Sequence, residues 1–511
     1  MEPCVRALQN PCAVCCQGAT ILLVLLSATL CLTPTVYAGG FELGENTTKA
    51  VARGGTGATL VRDPSALYFN PALLPRARGA QLLLDVNLVD MNVTFERDPL
   101  SYTSRGQQQT RTYDKDTNQS GFFPAPFLAA SWDLGIEDFA LGLGVFGPSA
   151  YSGLCYGTKT DDGCELNPDS GARYMMSSTE LLQFYLTLGA GYRFKLGSGH
   201  LSVGLSVMAA YQQTSFSLLI DEAETPVSRP YSEDPATGAL FEAEDVSGWQ
   251  PTGVLGLAYQ NGGVHLSLSY RPPISWETSG KVNLALPEGL SQDLGARLND
   301  DELNMKINQA GSLRLGVGWT EGTHPGFDDR PRLELEANLV WEDWSRTEFF
   351  EVETKGDIEV TAVDGLDPIP VATIYQQKSW QDTWSLRMGA SYGALPWLTA
   401  HAGAFMESAT QSHAYTNADF PAWERYGLTG GASLHVGKWM DVDLGYMFIR
   451  SPDRTVTQGD VYQPIPLSSC QGPDYTNDSC NPKGTPPGNP QNEGQWSFWS
   501  QILSVGLTVR L

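Results

Sequence analysis

The chain has 511 residues, of which 17% are charged, and this composition is not that of an intrinsically disordered protein. The chain has a formal net charge of −25, and this acidic composition does not indicate the basic face that nucleic-acid binding requires. No nucleic-acid partner is therefore expected. Beyond the N-terminal segment, no apolar run is long enough to cross a bilayer as a helix, although 41% of the residues are hydrophobic. A large soluble β protein and a membrane β-barrel remain as candidate classes.

The N-terminus has the features of a secretory signal peptide. Arg6 precedes an apolar stretch from Ala19 to Leu32, and Val36-Tyr37-Ala38 matches a signal-peptidase site. We therefore predict a signal peptide over residues 1–38. An uncleaved membrane anchor is the alternative, but the apolar stretch is short for a span.

Residues 39–79 are rich in turn-forming sequences and show no strand pattern. They contain Arg53-Gly54-Gly55-Thr56-Gly57, Asp63-Pro64 and Asn70-Pro71-Ala72-Leu73. A phosphate-binding loop is an alternative interpretation of the glycine run, but the G-x-x-x-x-G-K motif is absent. We expect no nucleotide and no other cofactor.

From residue 80 onward, apolar and polar residues alternate with the period of two that is typical of β-strands. The connections between these segments alternate between short turns and long acidic loops. About fourteen segments are predicted, near residues 80–95, 125–134, 138–147, 178–195, 199–218, 249–260, 263–284, 305–320, 331–345, 382–392, 397–407, 424–436, 439–451 and 496–511. This arrangement is typical of an antiparallel barrel with periplasmic turns and extracellular loops.

The two faces of the predicted strands distinguish a membrane barrel from a soluble one. Aromatic residues stand at the ends of the apolar faces, as in membrane-interface girdles: Tyr211, Tyr259, Tyr270, Trp319, Trp341, Tyr392 and Tyr446. The opposite faces carry charges that suit a lumen: Arg193, Arg314, Arg332, Glu334, Glu336, Arg387, Asp441, Asp443 and Arg510. We predict an all-β, fourteen-stranded antiparallel transmembrane β-barrel over residues 80–511, in the outer membrane of a Gram-negative cell. A barrel this wide leaves a lumen, so residues 39–79 are predicted to be an N-terminal hatch that fills it.

The last predicted strand has apolar residues on one face up to the C-terminus, from Leu503 to Leu511. This pattern resembles the C-terminal signal that the barrel-assembly machinery reads, which makes that machinery an expected partner. Terminal Leu511 departs from the aromatic residue that many outer-membrane proteins carry.

Two pairs of cysteines remain after the signal peptide: Cys155 with Cys164, and Cys470 with Cys480. In an oxidising compartment each pair predicts a disulfide that closes a surface loop. A zinc site is the alternative, but neither pair has C-x-x-C spacing or a nearby histidine, so no metal is expected.

Short motifs give the chain a resemblance to a known family. Gly40-Phe41-Glu42-Leu43, Thr56-Gly57-Ala58 and Asn70-Pro71-Ala72-Leu73 resemble the N-terminal hatch of the FadL family, outer-membrane transporters of long-chain fatty acids and hydrocarbons. Phe146-Gly147-Pro148 and the run from Trp341 to Ser345 also resemble family patterns.

The resemblance implies a hatch-plugged monomer that imports hydrophobic molecules passively. Substrate is captured between extracellular loops and passes to a pocket against the hatch, where Phe41, Asn70, Pro71, Ala72 and Leu73 are the expected residues. It then leaves sideways through a gap at a kink in the third strand, formed by Phe146, Gly147 and Pro148. A proline cannot donate to the ladder, which is compatible with a break there, and an ordinary strand end is the alternative.

Four leucines spaced by four residues could form one wall of the capture groove. The spacing of Leu286, Leu290, Leu294 and Leu298 predicts one face of a short loop helix. A loop helix that packs on its neighbours is the alternative.

The substrate class stays open at the level of sequence. Fatty-acid transporters of this family are expected to place basic residues where Leu218 and Glu351 stand, and neither can pair with a carboxylate. Arg314, Arg332 and Arg387 are the candidate lumenal ligand contacts, and an ion network with the lumenal carboxylates is the alternative. Long-chain fatty acids or neutral aromatic and aliphatic hydrocarbons are the expected cargo.

Two other classes of function agree less well with the sequence. A lipase-like enzyme needs a paired serine and histidine, but no G-x-S-x-G occurs and the six histidines are scattered, so no enzyme is expected. A surface adhesin fits the long acidic loops but leaves the hatch unexplained. Those loops are expected to meet lipopolysaccharide at the surface of the outer membrane.

Overall fold

The computed structural model describes residues 40, 46–104, 107–119, 121–147, 153–160, 163–167, 169–221, 233, 238–287, 289–323, 330–362, 365, 367–371, 373–462 and 489–511. Predictions on the signal peptide, Phe41, Pro148 and the pair Cys470 and Cys480 lie outside these residues. Within them, no helix is long and apolar enough to be a membrane span.

Fourteen antiparallel strands form one closed sheet in the described chain, which confirms the predicted fold class. We number them β1 to β14. They are β1 (Ala80–Arg97), β2 (Phe123–Trp132), β3 (Phe139–Phe146), β4 (Ser178–Leu196), β5 (Gly199–Asp221), β6 (Gly238–Asn261), β7 (Val264–Arg271 and Ile274–Ala285), β8 (Glu302–Gln309 and Ser312–Thr323), β9 (Pro331–Glu342 and Phe349–Thr354), β10 (Ile374–Gln377 and Thr383–Leu395), β11 (Leu398–Glu407), β12 (Arg425–Val436), β13 (Met440–Arg450 and Arg454–Val456) and β14 (Gly494–Arg510).

The barrel closes because the first strand pairs with the last. Their register runs from Gln81 opposite Arg510 to Arg97 opposite Gly494, without interruption. Every other strand pairs with its neighbours in the sequence, which is the antiparallel pattern that consecutive connections produce. Gly197 and Gly262 adopt positive φ angles of 59° and 57° in two of these turns, a conformation that glycine reaches without steric cost.

The alternation of side chains gives the barrel an apolar outer band. On β1, Leu84, Val86 and Leu88 are exposed, whereas the intervening Asp85 and Asn87 are buried. Exposed aromatic residues mark both edges of the band, with Trp132, Tyr192, Tyr392, Trp397 and Trp439 near the short turns and Trp249, Tyr270, Trp384 and Tyr426 near the long loops. An outer surface of this kind is stable in lipid, where the apolar side chains need not meet water.

The chain also forms short helices and strands that are not part of the fourteen wall strands. The N-terminal segment contains helices α1 (Thr48–Ala52) and α2 (Ala66–Phe69) and a 3-10 helix (Pro71–Arg76). Two further 3-10 turns span Trp344–Arg346 and His413–Tyr415. Short loop strands are Leu100–Ser104 with Gln107–Arg111, Asp116–Thr117, Leu154–Cys155, Thr158–Thr160 with Gly163–Glu165, and Ala296–Leu298 with Asp357–Val360 and Ile369–Pro370.

The predicted helix over the four leucines is wrong. Only one helical turn forms, at Gly289–Asp293, and Gly295 then takes a positive φ of 59°. The chain continues as the strand Ala296–Leu298, in which Leu298 lies opposite Ile358. Pairing with a distant loop strand therefore overrides the local helical spacing, so Leu286, Leu290, Leu294 and Leu298 do not share a helix face.

Candidate functional site

The N-terminal segment, residues 46–79, bonds to the inner face of the barrel on many sides. Its hydrogen bonds reach strands β1, β5, β7, β9, β12 and β14. They join Thr48 to Asp85 (2.9 Å) and Ser504 (2.7 Å), Gly54 to Thr429 (2.8 Å), Thr59 to Ser267 (2.8 Å) and Glu336 (2.9 Å), Leu67 to Ser206 (2.9 Å), and Phe69 to Ser269 (2.8 Å). Contacts with strands around the whole wall place this segment inside the lumen.

The predicted turn Asn70-Pro71-Ala72-Leu73 is buried against β6. The Asn70 carboxamide oxygen accepts the Ala72 backbone N–H (3.1 Å), and its nitrogen donates to the carbonyls of Ala58 and Leu257 (both 3.1 Å). One asparagine thus caps the 3-10 helix and bonds to the wall, which a carboxylate could not do because it donates no hydrogen bond. Gly256 makes room for this turn, since a Cβ there would overlap the Asn70 side chain.

Ion pairs fix the same segment to the lumenal carboxylates. Arg53 contacts Glu336 (3.2 Å) and Glu334 (3.6 Å), and Lys49 contacts Asp443 (3.5 Å) as well as Asp63 within the segment (3.3 Å). The alternative interpretation of the lumenal charges as an ion network is therefore realised. Glu334, Glu336 and Asp443 thus pair with cations of the N-terminal segment, whereas Asp441 also pairs with a predicted barrel arginine, Arg510 (2.5 Å).

The three candidate arginines lie in different surroundings. Arg387 is buried and paired with Glu407 (2.6 Å), which also pairs with Arg425. Arg332 is exposed at the rim where β9 begins, and it donates to the hydroxyl of Tyr392 (2.8 Å). The guanidinium of Arg387 is therefore already neutralised by Glu407, and that of Arg332 lies at the rim of the barrel.

Arg314 differs from the other two because it contacts the N-terminal segment. The side chain is buried, its Nη2 donates to the Tyr68 hydroxyl (3.3 Å), and its guanidinium lies 5.0 Å from the centre of the Tyr68 ring. Among the described residues, no carboxylate oxygen lies within 4.0 Å of it. A buried cation next to an aromatic ring is suited to bind an anionic or aromatic group.

Tyr68 also reaches the end of β3. Its ring packs edge-on against Phe146 with centroids 5.8 Å apart, and Phe146 stacks on Phe127 at 4.4 Å. Phe146 is the last residue of β3 and lies 6.4 Å from the ring of Tyr185 on β4. This aromatic group joins the N-terminal segment to the predicted exit.

Among the described residues, the ladder between β3 and β4 has a gap beside this aromatic group. Pairing between β3 and β4 stops at Phe146 opposite Tyr185, and it resumes only where Leu154 and Cys155 meet Thr179 and Ser178. The described chain therefore supplies no ladder partner on that side for residues 180–184 of β4. Gly147 sits tightly against this stretch, because a Cβ there would overlap the Gln183 carbonyl oxygen.

Sequence reasoning missed two prolines on the other side of the interruption. Pro124 and Pro126 lie in β2, beyond its last pair with β3 at Phe127 opposite Phe146. A proline has no N–H, so this stretch of β2 cannot complete a ladder on both edges. The signal was present in the sequence, since proline is rare inside a wall strand.

A buried polar group on the lumenal side was also missed. The Tyr185 hydroxyl contacts Arg271 (3.4 Å) and the Gln309 carboxamide (3.1 Å), and Trp276 Nε1 donates to Gln309 (2.7 Å). Arg271 stands on the polar face of β7 immediately before two prolines, which was the available clue.

An aromatic cluster extends between β9, β10 and the segment before β12. Its rings are Trp344, Phe350, Trp380 and Phe420, at centroid separations of 5.2 to 6.5 Å. Gly40 packs against Trp344, where a Cβ would lie 2.8 Å from the ring. The two positions at which fatty-acid transporters of the family are expected to have basic residues hold no cation in this chain. Leu218 is apolar and buried, and Glu351 is an acid that pairs with Lys306 (3.2 Å).

Cys155 and Cys164 form a disulfide, as predicted, with Cα atoms 5.7 Å apart. The bond closes a loop in the connection between β3 and β4.

A closed barrel of fourteen antiparallel strands, with an apolar outer band, aromatic girdles and a polar lumen, is the architecture of an outer-membrane β-barrel. The chain belongs to the outer membrane protein transport protein family (OMPP1/FadL/TodX), whose sequence profile matches residues 29–478. This family comprises outer-membrane transporters of hydrophobic compounds, and the chain is an outer-membrane protein of that family.

Individual relatives agree with this assignment. An outer membrane protein of Neisseria meningitidis serogroup B is 22% identical over 452 residues, which cover 84% of this chain and 90% of the relative. A Pseudomonas aeruginosa FadL homologue superposes with a TM-score of 0.68 at 16% identity, covering 92% of this chain and 99% of that one. The Ralstonia pickettii toluene transporter TbuX gives a TM-score of 0.58 at 17% identity, covering 92% and 100%. The two structural likenesses show the shared fold.

Proposed function

We propose that this protein imports hydrophobic compounds across the outer membrane by diffusion, with residues 39–79 as a hatch and the interrupted β3–β4 wall as a lateral exit. The contact between Tyr68 and Phe146 carries the proposal. It joins the N-terminal segment to the residue at which wall pairing ends, so a movement of the segment would reach the exit directly.

The apolar and aromatic surfaces outline a route for such a substrate. The cluster around Trp344 and Phe350 offers an apolar binding surface beside Gly40, and the group around Phe146 offers a second one at the exit. A concave apolar site with a few polar groups is the usual form of a small-molecule pocket. No energy source is needed, because substrate moves down its own gradient.

Long-chain fatty acids are the first substrate class that we propose. Arg314 supports this choice, since a buried guanidinium with no carboxylate within 4.0 Å among the described residues could pair with a substrate carboxylate. Neutral aromatic or aliphatic hydrocarbons are the second class. They are favoured by the missing cations at Leu218 and Glu351 and by the relatives named as toluene transporters.

Uptake in a Gram-negative strain that lacks its own transporter would test the proposal, with labelled oleate and labelled toluene as substrates. We expect oleate uptake, and we expect Arg314→Met to lower it about tenfold through loss of a charge-assisted contact. Arg332→Met is the matched control, because it removes an arginine at the rim and should leave uptake unchanged. Toluene uptake alone would select the second substrate class, and uptake of neither compound would contradict the proposed function.

A further inference from the structure

We propose that the extracellular end of the barrel contains a carboxylate-binding site, formed by Arg97, Arg173, Tyr113, Asn489 and Gln491, and that Glu233 is its internal ligand. The site is separate from the uptake route proposed above and does not depend on it. Its place in the fold is set by Arg97, the last residue of β1, which precedes a long connection and therefore lies on the outer side of the membrane.

The donors around the Glu233 carboxylate form a complete shell. Arg97 binds both oxygens through its two terminal nitrogens (2.9 and 2.8 Å), in the bidentate geometry that guanidinium and carboxylate favour. Four other groups also donate to it: Arg173 (3.0 Å), Tyr113 (2.9 Å), Asn489 (3.1 Å) and Gln491 (3.2 Å). The Glu233 side chain is completely buried, so these protein groups replace its hydration.

The two arginines are held in place without help from Glu233. Arg97 donates to the Pro490 carbonyl (2.9 Å) and lies 4.3 Å from the centre of the Tyr113 ring. Arg173 donates to the Ser170 carbonyl (3.3 Å) and lies over the Tyr174 ring at 4.6 Å. A site whose groups are fixed in advance loses little freedom when a ligand binds, which favours affinity.

The charges of the site also favour a carboxylate. Two buried guanidinium groups face one carboxylate, and Arg111 adds a third cation 5.8 Å from the centre of the same Tyr113 ring, although it pairs with Asp169 (3.0 Å). Burial opposes ionisation of Glu233, but Arg97 and Arg173 outweigh it and lower the pKa of Glu233 to about 2. Burial raises the pKa of Tyr113, which therefore remains a hydrogen-bond donor.

Removing Glu233 would leave two buried cations without a counter-charge, which is strongly unfavourable until another anion binds. A small monocarboxylate supplies the same two oxygens and fits the same donors. The ligand class is therefore a carboxylate, carried either by a short soluble acid or by the head group of an amphiphile. Tyr113 and Tyr174 would offer apolar contact to the chain of an amphiphile.

The test is calorimetric titration of the detergent-solubilised Glu233→Ala protein with sodium acetate, with chloride keeping the ionic strength constant. We expect acetate to bind this variant at one site and at least tenfold more tightly than wild type, in which Glu233 occupies the site. Adding Arg173→Met should weaken that binding at least tenfold. Glu424→Ala is the matched control, since Glu424 pairs with a single arginine, Arg454 (2.6 Å), and its removal should create no acetate site.

A folded Glu233→Ala protein that binds acetate no better than wild type would overturn the proposal. If this variant does not assemble alone, refolding is compared in acetate and in chloride of equal ionic strength. Recovery in acetate only supports the site, and equal recovery in both overturns it. Repeating the titration with decanoate below its micellar concentration distinguishes the two ligand sources. Tighter binding than acetate identifies an amphiphile and equal binding identifies a soluble acid, and both results support the site.

Discussion

Tyr68 of the N-terminal segment packs edge-on against Phe146, the last residue of β3, with ring centroids 5.8 Å apart and an interplanar angle of 85°. Arg314 also contacts Tyr68, with its guanidinium 5.0 Å from the ring centre and its Nη2 donating to the hydroxyl at 3.3 Å. One side chain of the segment thus contacts both the buried cation of β8 and the end of the interrupted ladder. Displacement of Tyr68 would change both contacts together, which gives the proposed hatch a defined connection to the exit.

A crosslink between the segment and the wall should block uptake. The hydroxyls of Thr59 and Ser267 are 2.8 Å apart, close enough for a disulfide between Thr59→Cys and Ser267→Cys. We expect oxidation of this double variant to abolish uptake of the transported compound, and reduction to restore it, because the segment must move.

The matched control joins two wall strands that need not separate. Thr94 on β1 and Ser497 on β14 have hydroxyls 2.6 Å apart, so Thr94→Cys with Ser497→Cys gives a crosslink of similar length. Oxidation of this variant should leave uptake unchanged. Full uptake by the oxidised Thr59→Cys and Ser267→Cys protein would show that the segment does not move in this region.

Added volume at the wall glycine opposite the segment should destabilise the protein. Gly256 faces the Asn70 side chain so closely that a methyl group overlaps its carboxamide oxygen. We expect Gly256→Ala to lower the free energy of unfolding by about 1–3 kcal/mol, as overpacking commonly does. The midpoint of heat-induced unfolding, followed by the gel shift of the folded barrel, measures the effect.

Gly430 provides the comparison for that substitution. It lies in β12, and a Cβ there meets its nearest described neighbour, the His401 carbonyl oxygen, only at 3.8 Å. Gly430→Ala should therefore leave the midpoint unchanged. Equal midpoints for both variants would show that the turn at Asn70 can shift to accept the added methyl group without loss of stability.

The strands were predictable because their signal is local, and the contacts of the segment were not. A period of two can be read within ten residues, and each predicted segment overlaps an observed strand, such as 80–95 with Ala80–Arg97. Arg53 and Glu336, in contrast, are separated by 283 residues and meet only when the barrel closes around the segment. No spacing in one sequence encodes such a pair.

The alternation of polar and apolar residues also does not show how deep in the barrel a lumenal residue lies. Arg314 and Arg332 both occupy polar positions of their strands, so the pattern treats them as equal. The structure separates them, because Arg332 stands at the rim whereas Arg314 is buried beneath Tyr68. The position of a residue along its strand, relative to the two girdles, decides which lumenal charge can reach a substrate.

Restoring backbone donors beside the interrupted ladder should slow uptake. Pro124→Ala with Pro126→Ala returns two N–H groups to β2, which could then pair across the gap. We expect a lower initial rate of uptake with an unchanged amount of folded protein. Pro251→Ala is the control, since Pro251 lies in β6, away from the gap, and also regains an N–H. An unchanged rate in the double variant would contradict exit at this place.

The carboxylate site should make thermal stability depend on Glu233 and on pH. The pKa of Glu233 is lowered from 4.5 to about 2 in the folded protein, so its ionised form stabilises the fold. For a lowered carboxyl pKa, this contribution is complete above pH 4.5 and disappears as the pH falls toward 2. It amounts to on the order of 3 kcal/mol. Glu233→Gln keeps the shape of the side chain and should therefore unfold at a lower temperature than wild type at pH 7, with the difference shrinking between pH 4.5 and 2. A difference in unfolding temperature that stays constant across this pH range would show that the charge of Glu233 does not hold the extracellular segments together.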